Sequence, residues 1–302
     1  MLFDWPSIAI LSAAVSGLVN VIDSHLVSQR LPSLRAFLLP IGTIHLGYAL
    51  ILLALFPLPE AVGRSPLLVA IASGLLRTAA VTIMLYSLKR EEVSRVIPVV
   101  YTYPIFVAIM AVPLLGETLI YLEWLAIVVV VAGAIIISFR QGHSRAITRF
   151  GRTFILLFCS SLLFAAADIS SKYALRYISF WNMFSLSAFC MSTTFLLVSV
   201  RPHVIRQLIN MERRGSAVAL LIGNETMAPV AIILAFLAMQ NGPVSLVSTI
   251  MGSRSIFVVL YALILSRVSP MFLEWQRGGA MLVLRLIATA MIVGGIAFIY
   301  LT

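Results

Sequence analysis

Charged side chains are scarce in this sequence. Only 11% of its 302 residues are Asp, Glu, Lys or Arg, whereas 61% are hydrophobic and the mean hydropathy is +1.08. A soluble globular domain has roughly 25% charged residues and about half apolar ones, so the composition excludes a soluble enzyme and a disordered chain. It indicates a polytopic helical membrane protein, in which roughly ten spans of about 20 residues take up nearly the whole chain.

Acidic residues, cysteines and catalytic motifs are also few or missing. The net charge is +10, but the basic residues lie in short loops between apolar runs, so we predict no nucleic-acid partner. The two cysteines, Cys159 and Cys190, lie inside apolar runs and predict neither a disulfide nor a metal site. No metalloprotease, Walker or serine-hydrolase motif occurs. We therefore predict a protein that is not an enzyme, with no catalytic residues, metal or cofactor.

Long apolar runs are what the sequence has in abundance. Each run is bounded by charge, Pro or Gly, and a helix satisfies its backbone hydrogen bonds internally, as the lipid interior requires. We predict an all-α membrane protein with ten transmembrane helices. The predicted spans are residues 6–28, 36–57, 66–88, 94–113, 118–139, 153–175, 181–200, 216–238, 244–265 and 282–301.

The basic residues separate sharply between the two sides of these spans. Of the 21 Lys and Arg residues, sixteen lie in loops after odd-numbered spans, and two lie in the other loops. By the positive-inside rule, the odd-numbered loops are cytoplasmic and both termini are outside. We predict an integral multi-pass protein of a bacterial or archaeal cell (inner) membrane, in contact with the lipid bilayer.

The chain repeats itself at an offset of 151 residues. The triplet Leu-Glu-Trp occurs at 122–124 and at 273–275, and Ile-Phe-Val occurs at 105–107 and at 256–258. The repeat covers five spans, and because five is odd, the second copy must enter the membrane inverted. Inverted repeats are typical of alternating-access transporters. We predict two inverted five-helix repeats, at residues 1–140 and 153–302, joined by a basic linker at residues 141–152.

Residues 87–137 resemble the end of the first repeat in the drug/metabolite transporter superfamily, in particular its ten-span EamA-like members. Pro104 fits the family's mid-span proline, Gly116 and Glu117 fit its Gly-Glu turn, and Gly133 fits its last span. The resemblance implies a secondary transporter with a central cavity lined by spans 3, 4, 8 and 9. It also implies cytoplasmic termini, the opposite of what the charge pattern indicates.

The second copy departs from this family pattern. Ser255 stands where the proline is expected, and Arg267 and Val268 replace the Gly-Glu pair. These departures leave the substrate open.

Polar residues inside the spans predict the site, because ionisable groups at mid-depth usually face a cavity or a partner. Arg77 and Arg254 lie mid-span, and the offset maps Arg254 onto Tyr103 and Glu225 to within one turn of Arg77. An Arg77–Glu225 ion pair that only joins the halves is the alternative. His45 lies alone on an apolar run and is predicted to pack there. The predicted substrate-binding residues are Asn20, Arg77, Tyr101, Tyr103, Asn224, Glu225 and Arg254.

Three further residues are candidates for proton coupling: Asp23, Asp168 and Lys172. Burial favours the protonated form of a carboxyl group, which makes such groups suitable proton carriers. Asp168 and Lys172 are one helical turn apart and can pair with each other, which is the structural alternative. Asp23 can instead lie solvated at the membrane interface.

These features predict alternating-access transport of a small metabolite or drug-like solute. The mixed charge of the site favours a zwitterion such as an amino acid. Two alternatives stay open at this point: a subunit that translocates a lipid or a lipid-linked substrate, and, less favoured, an intramembrane lipid-modifying enzyme.

Overall fold

A computed structural model gives the fold and describes residues 4–60, 62–89, 96, 99–100, 102–138, 150–211, 214–268 and 279–301. The described residues are helical apart from short connections, with no strand among them. The elements are α1 (Trp5–His25), a π-helix (Leu26–Arg30), α2 (Leu34–Leu55), α3 (Arg64–Leu88), α4 (Tyr103–Leu115), α5 (Tyr121–Ser138), α6 (Phe150–Ala174), α7 (Phe180–Ser199), α8 (Pro202–Ile209), α9 (Arg214–Asn241), α10 (Val244–Met251), α11 (Arg254–Val268) and α12 (Gly279–Leu301).

The predicted membrane fold is confirmed at the level of the helices. Within the described residues, seven stretches are long and apolar enough to cross a membrane: α1, α2, α3, most of α6, α7, most of α9, and Val244–Tyr261, which covers α10 and the start of α11. Shorter apolar helices at Tyr103–Leu115, Tyr121–Ile136 and Leu286–Leu301 occupy the positions of the other three predicted spans. The protein is an all-α membrane protein, and the count of ten spans stays a prediction.

Local sequence explains where several helices begin and end. Ser33 precedes α2 and accepts a hydrogen bond from the Ala36 backbone N–H at 3.2 Å, and Ser179 caps α7 in the same way. Pro6 occupies the first turn of α1, where its missing N–H costs nothing. Gly116 ends α4 with φ of 69°, a left-handed conformation that favours glycine.

The two halves of the chain interleave. In the first half, α1 packs on α9 and α11, α2 on α7, α3 on α6 and α7, α4 on α6 and α10, and α5 on α12. When each helix is replaced by its equivalent in the other half, the α1–α9 pair becomes α6–α3, and the α1–α11 pair becomes α6–α4. This exchange symmetry supports the predicted repeats at 1–140 and 153–302, which stay a prediction. Most of the linker at 141–152 lies outside the described residues.

Buried serines join the paired helices. Ser12 on α1 donates to the Ala231 carbonyl of α9 at 2.7 Å, and Ser73 on α3 donates to the Ala167 carbonyl of α6 at 2.9 Å. In lipid, small residues and interhelical hydrogen bonds replace the hydrophobic effect as the source of helix association. At these two contacts, a short hydroxyl side chain joins a helix of one half to a helix of the other.

Glycines let α5 and α12 approach closely, and substitution there gives a first prediction. A Cβ at Gly133 would lie 2.8 Å from Ile292 Cγ1 and 2.9 Å from the Ala288 carbonyl oxygen, whereas a Cβ at Gly294 meets nothing within 4 Å. We expect Gly133→Val to lower the free energy of unfolding by about 1–3 kcal/mol through overpacking. Thermal unfolding in detergent checks this, with Gly294→Val as the matched control. Equal midpoints for the two variants would contradict the close α5–α12 contact.

Predicted spans 4 and 9 are discontinuous at corresponding points. A turn at Gly252 and Ser253 separates α10 from α11, and α4 begins at Tyr103, directly after a turn at Thr102. The offset of 151 residues relates Thr102 to Ser253 and Tyr103 to Arg254. Helices broken at corresponding positions in two halves are typical of transporter binding sites, because the break places helix ends inside the membrane.

Candidate functional site

A cavity of about 210 Å³ lies between the two halves of the chain. Its walls come from α1, α2, α3, α4, α6, α7, α9 and α11. Asn224 lies beside one wall, and Tyr101 is outside the described residues. Seven of the predicted site residues line the cavity: Asn20, Asp23, Arg77, Tyr103, Asp168, Glu225 and Arg254.

Arg77 on α3 and Asp168 on α6 form an ion pair across the halves. Arg77 Nη2 lies 2.7 Å from Asp168 Oδ1, and Ser248 Oγ donates to Asp168 Oδ2 at 2.9 Å. Asp168 is buried, whereas the Arg77 side chain is 20% exposed and lies over the Phe236 ring, 5.2 Å from its centroid. The positive charge of Arg77 is therefore matched within the protein.

An acidic cluster forms a second polar region of the site: Asp23 on α1, His45 on α2, and Asn224 and Glu225 on α9. Asn224 Nδ2 donates to Asp23 Oδ1 at 2.7 Å and to Glu225 Oε1 at 3.4 Å. His45 Nδ1 lies 3.3 Å from Glu225 Oε2. Glu225 and His45 are each 2% exposed, and Asn224 is fully buried. Two carboxyl groups therefore share one amide group at this end of the cavity.

Arg254 supplies the positive group nearest the break in predicted span 9. Its Nε donates to the Met251 carbonyl at 3.0 Å, and its Nη2 donates to Tyr103 Oη at 3.1 Å. The guanidinium carbon also lies 5.9 Å from the centroid of the Tyr103 ring. The two residues related by the offset of 151 thus contact each other, which places them where an axis between the halves would pass.

Aromatic and thioether side chains complete the cavity wall: Phe37, Phe164, Phe195, Met84 and Met191. These groups favour an apolar part of a ligand, and methionine adapts to its shape. Phe37 lies near the beginning of α2 and Phe195 near the end of α7. The cavity therefore extends from mid-span toward the ends of the helices that adjoin the basic loops.

Lys172 does not pair with Asp168, so this predicted ion pair is wrong. Lys172 Nζ donates to the Met239 carbonyl at 2.6 Å and to the Gly242 carbonyl at 2.8 Å, at the end of α9. The last carbonyls of a helix lack intrahelical donors and carry the negative end of its dipole, so they attract a cation. Lys172 lies outside the lining of the cavity.

The alternative pairing of Arg77 with Glu225 is not formed either. Arg77 contacts Asp168 and Ser171, whereas Glu225 contacts His45 and Asn224. Both residues line the same cavity. The offset of 151 residues relates α3 to α9. Arg77 on α3, however, has its partner on α6, and Glu225 on α9 contacts His45 on α2.

His45 and Glu117 make polar contacts that the sequence did not predict. His45, predicted to pack on an apolar run, belongs to the acidic cluster, and its only sequence signal was its isolation among apolar residues. Glu117 does follow the Gly116 turn, but its carboxylate also accepts hydrogen bonds from the Val244 and Ser245 backbone N–H groups at 2.6 and 3.2 Å. It therefore caps the beginning of α10, a helix of the other half.

The helix ends on the side away from the basic loops are packed together. Trp5 packs on Gly242, and the Phe56 and Trp181 rings stack at 4.9 Å. The Glu117 cap on α10 and the Lys172 contacts at the end of α9 lie at the same end of the helices. This set of contacts is called the closed end below. The Lys172 contacts lie within the second half, and the other contacts of the closed end join the first half to the second on the face opposite the cavity.

The chain was also compared with known proteins. No curated protein matches it. A solved crystal structure aligns with 98% of this chain and 95% of its own, at 16% identity and a TM-score of 0.71, which shows the fold over nearly the full length. The model of the EamA-like transporter family matches residues 5–139, nearly the whole predicted first repeat. The predicted resemblance is confirmed over these residues, and the protein is a membrane protein whose first half matches the EamA-like transporter family.

Proposed function

We propose that the protein is a secondary transporter that moves a small zwitterion with an apolar side chain, such as an amino acid, by alternating access. The observation that carries this proposal is the cavity between the halves, which has carboxylates at one wall and arginine at another. The basic loops are cytoplasmic in this proposal, and the membrane is the inner membrane of a bacterial or archaeal cell.

The charges of the cavity favour a substrate with both signs. Arg77 forms an ion pair with Asp168, and Arg254, which donates to Tyr103 and Met251, is the second arginine that lines the cavity. We assign the substrate carboxylate to Arg254, because guanidinium groups bind carboxylates bidentately and Arg254 lies at the break in predicted span 9. The acidic cluster offers the matching partner for a substrate ammonium group.

Alternating access is supported by the asymmetry of the two ends. The cavity extends toward the basic loops, while the opposite face is held by the closed end. For the substrate to leave on that face, the contacts of the closed end must break and those around the cavity mouth must form. The interleaved halves allow this change as a movement of one helix bundle against the other.

Transport by purified protein in liposomes tests the proposal. Liposomes preloaded with an unlabelled neutral amino acid should accumulate the labelled amino acid by exchange, whereas a neutral sugar should not exchange. Movement of sugars or lipids with no exchange of any zwitterion would contradict the proposal.

The closed end yields a prediction on Glu117. Glu117→Ala removes the cap on α10, and the loss of such a cap costs about 1 kcal/mol, which shifts the balance between two states about fivefold. We expect faster labelling of a single cysteine placed at buried Ala231, by a membrane-impermeant thiol reagent added on the closed-end side.

A matched control distinguishes this effect from the loss of any helix cap. Glu123 accepts the Ile120 backbone N–H at 2.8 Å, next to the start of its own helix α5, and does not join the halves. Glu123→Ala should leave the labelling rate unchanged. Equal rates in the Glu117 and Glu123 variants would show that Glu117 does not hold the closed end.

A further inference from the structure

The acidic cluster is short of hydrogen-bond donors. His45 Nδ1 lies 3.1 Å from the Ile41 carbonyl oxygen, and because a carbonyl only accepts, Nδ1 carries the hydrogen. The other ring nitrogen, Nε2, then presents a lone pair. Among the described residues Nε2 has no hydrogen-bond partner, although His45 is 2% exposed and lines the cavity. An acceptor in that position calls for a donor from a ligand.

Asn224 supplies no donor to a ligand. Its amide nitrogen donates to Asp23 and to Glu225, so both of its hydrogens are used within the protein. Its amide oxygen, Oδ1, is buried and has no partner within the described part of the chain. A cationic ligand at this end favours the ionised form of the two carboxyl groups, so the groups that it meets are acceptors: carboxylate oxygens and a histidine lone pair.

The cations of the cavity do not meet this need. Arg77 Nη2 is bound to Asp168, and the Arg254 guanidinium donates to Met251 and Tyr103. A ligand that satisfies the acidic cluster must bring positive charge and several N–H donors. A primary ammonium group has three such donors, whereas a quaternary ammonium group has the charge and none.

We infer that the acidic cluster, formed by Asp23, His45, Asn224 and Glu225, is a subsite for a primary ammonium group and selects it by its N–H donors. This inference deepens the proposed function, since it names the group of the transported zwitterion that this wall recognises. It also separates the protein from a carrier of quaternary ammonium compounds, which are held mainly by aromatic faces.

A pair of probes with one carbon skeleton tests the inference. 2-Phenylethylamine and its N,N,N-trimethyl derivative both carry an aromatic group for the apolar wall and one positive charge. Binding of each to the purified full-length chain in detergent is measured by calorimetry. We expect the primary amine to bind roughly 10–100-fold more tightly than the trimethyl compound. The amine donates hydrogen bonds to the acceptors of the cluster, whereas the trimethyl compound leaves the same buried acceptors without a donor. Equal binding, tighter binding of the trimethyl compound, or no binding of the amine would overturn the inference.

Variants locate the selectivity within the protein. Glu225→Gln should weaken binding of the amine at least about tenfold and change binding of the trimethyl compound less. His45→Leu should reduce the preference for the amine, because it removes one acceptor. Glu60 is an exposed carboxyl group remote from the cavity lining, so Glu60→Gln should keep the parent affinities. An unchanged preference in both cluster variants would place the amine elsewhere.

The outcome is separable from that of the proposed function. If the amine binds with the expected preference but no zwitterion exchanges across liposomes, the subsite stands and the transport proposal fails. If zwitterions exchange while the two probes bind equally, the transport proposal stands and the subsite fails.

Discussion

Glu225→Gln is expected to slow exchange of a zwitterionic solute at least about tenfold in liposomes. The carboxylate is 2% exposed and shares Asn224 with Asp23, so it is the charge that the acidic cluster presents at the cavity wall. Glutamine keeps the shape of the side chain but removes the negative charge that an ammonium group requires. Hydrogen bonds between charged groups contribute about 1.5–3 kcal/mol, which corresponds to this loss of rate.

The measurement is the initial rate of exchange at equal protein density in the liposomes. Glu60→Gln is the matched control, because it removes the same charge from an exposed position. A parent-like rate in the Glu225 variant would remove the acidic cluster from the transport path.

Asp168→Asn is expected to lower the free energy of unfolding by about 3 kcal/mol. Removal of one member of a buried ion pair leaves the other charge without compensation, at a cost of about 3–5 kcal/mol. The lower end applies because the Arg77 side chain is 20% exposed toward the cavity. The bond from Ser248 to this position can persist with asparagine, so the loss is specific to the charge.

A double variant separates the ion pair from simple packing. In Arg77→Met with Asp168→Leu, both charges are gone, and the midpoint of thermal unfolding should return toward that of the parent chain. Asp4→Asn is the control, since Asp4 is exposed and makes no side-chain cap bond at α1. An equal loss in the single and double variants would show that the pair does not determine the stability.

Much of the fold follows from the sequence because lipid imposes simple rules. A spanning segment must be long, apolar and helical, so composition and run length indicate the helices directly. Several residues that line the cavity could also be predicted from the sequence. Arg77, Glu225 and Arg254 are ionisable groups within apolar runs, and such groups rarely face lipid. The depth of these residues follows from their place in the run.

The pairings could not be predicted in the same way. Asp168 and Lys172 are four residues apart on one helix, which favours a local pair, but α6 turns Asp168 toward α3 and carries Lys172 to the end of α9. The rotation of a helix about its axis depends on packing against its neighbours, and apolar residues on all sides of α6 leave that rotation undetermined in sequence.

The breaks in the helices were hidden for a related reason. Gly252 and Ser253 lie inside the predicted span 244–265, and apolar stretches on either side of the short Gly-Ser-Arg-Ser segment make it look like one continuous span. Hydropathy averages over a window longer than the break. The signal that remains is the recurrence of the break at the offset of 151 residues, which requires both copies to be aligned first.

Labelling of equivalent positions from the two sides of the membrane tests the central claim, which is that two inverted halves share one polar cavity. Gly63 and Gly215 are exposed, are near-equivalent under the repeat, and accept a side chain without a clash. Each is replaced by cysteine in a chain in which Cys159 and Cys190 are changed to alanine. A membrane-impermeant thiol reagent should label position 63 from outside the cell and position 215 only after access from the cytoplasm. Labelling of both positions from the same side would contradict the inverted repeat and the transport mechanism built on it.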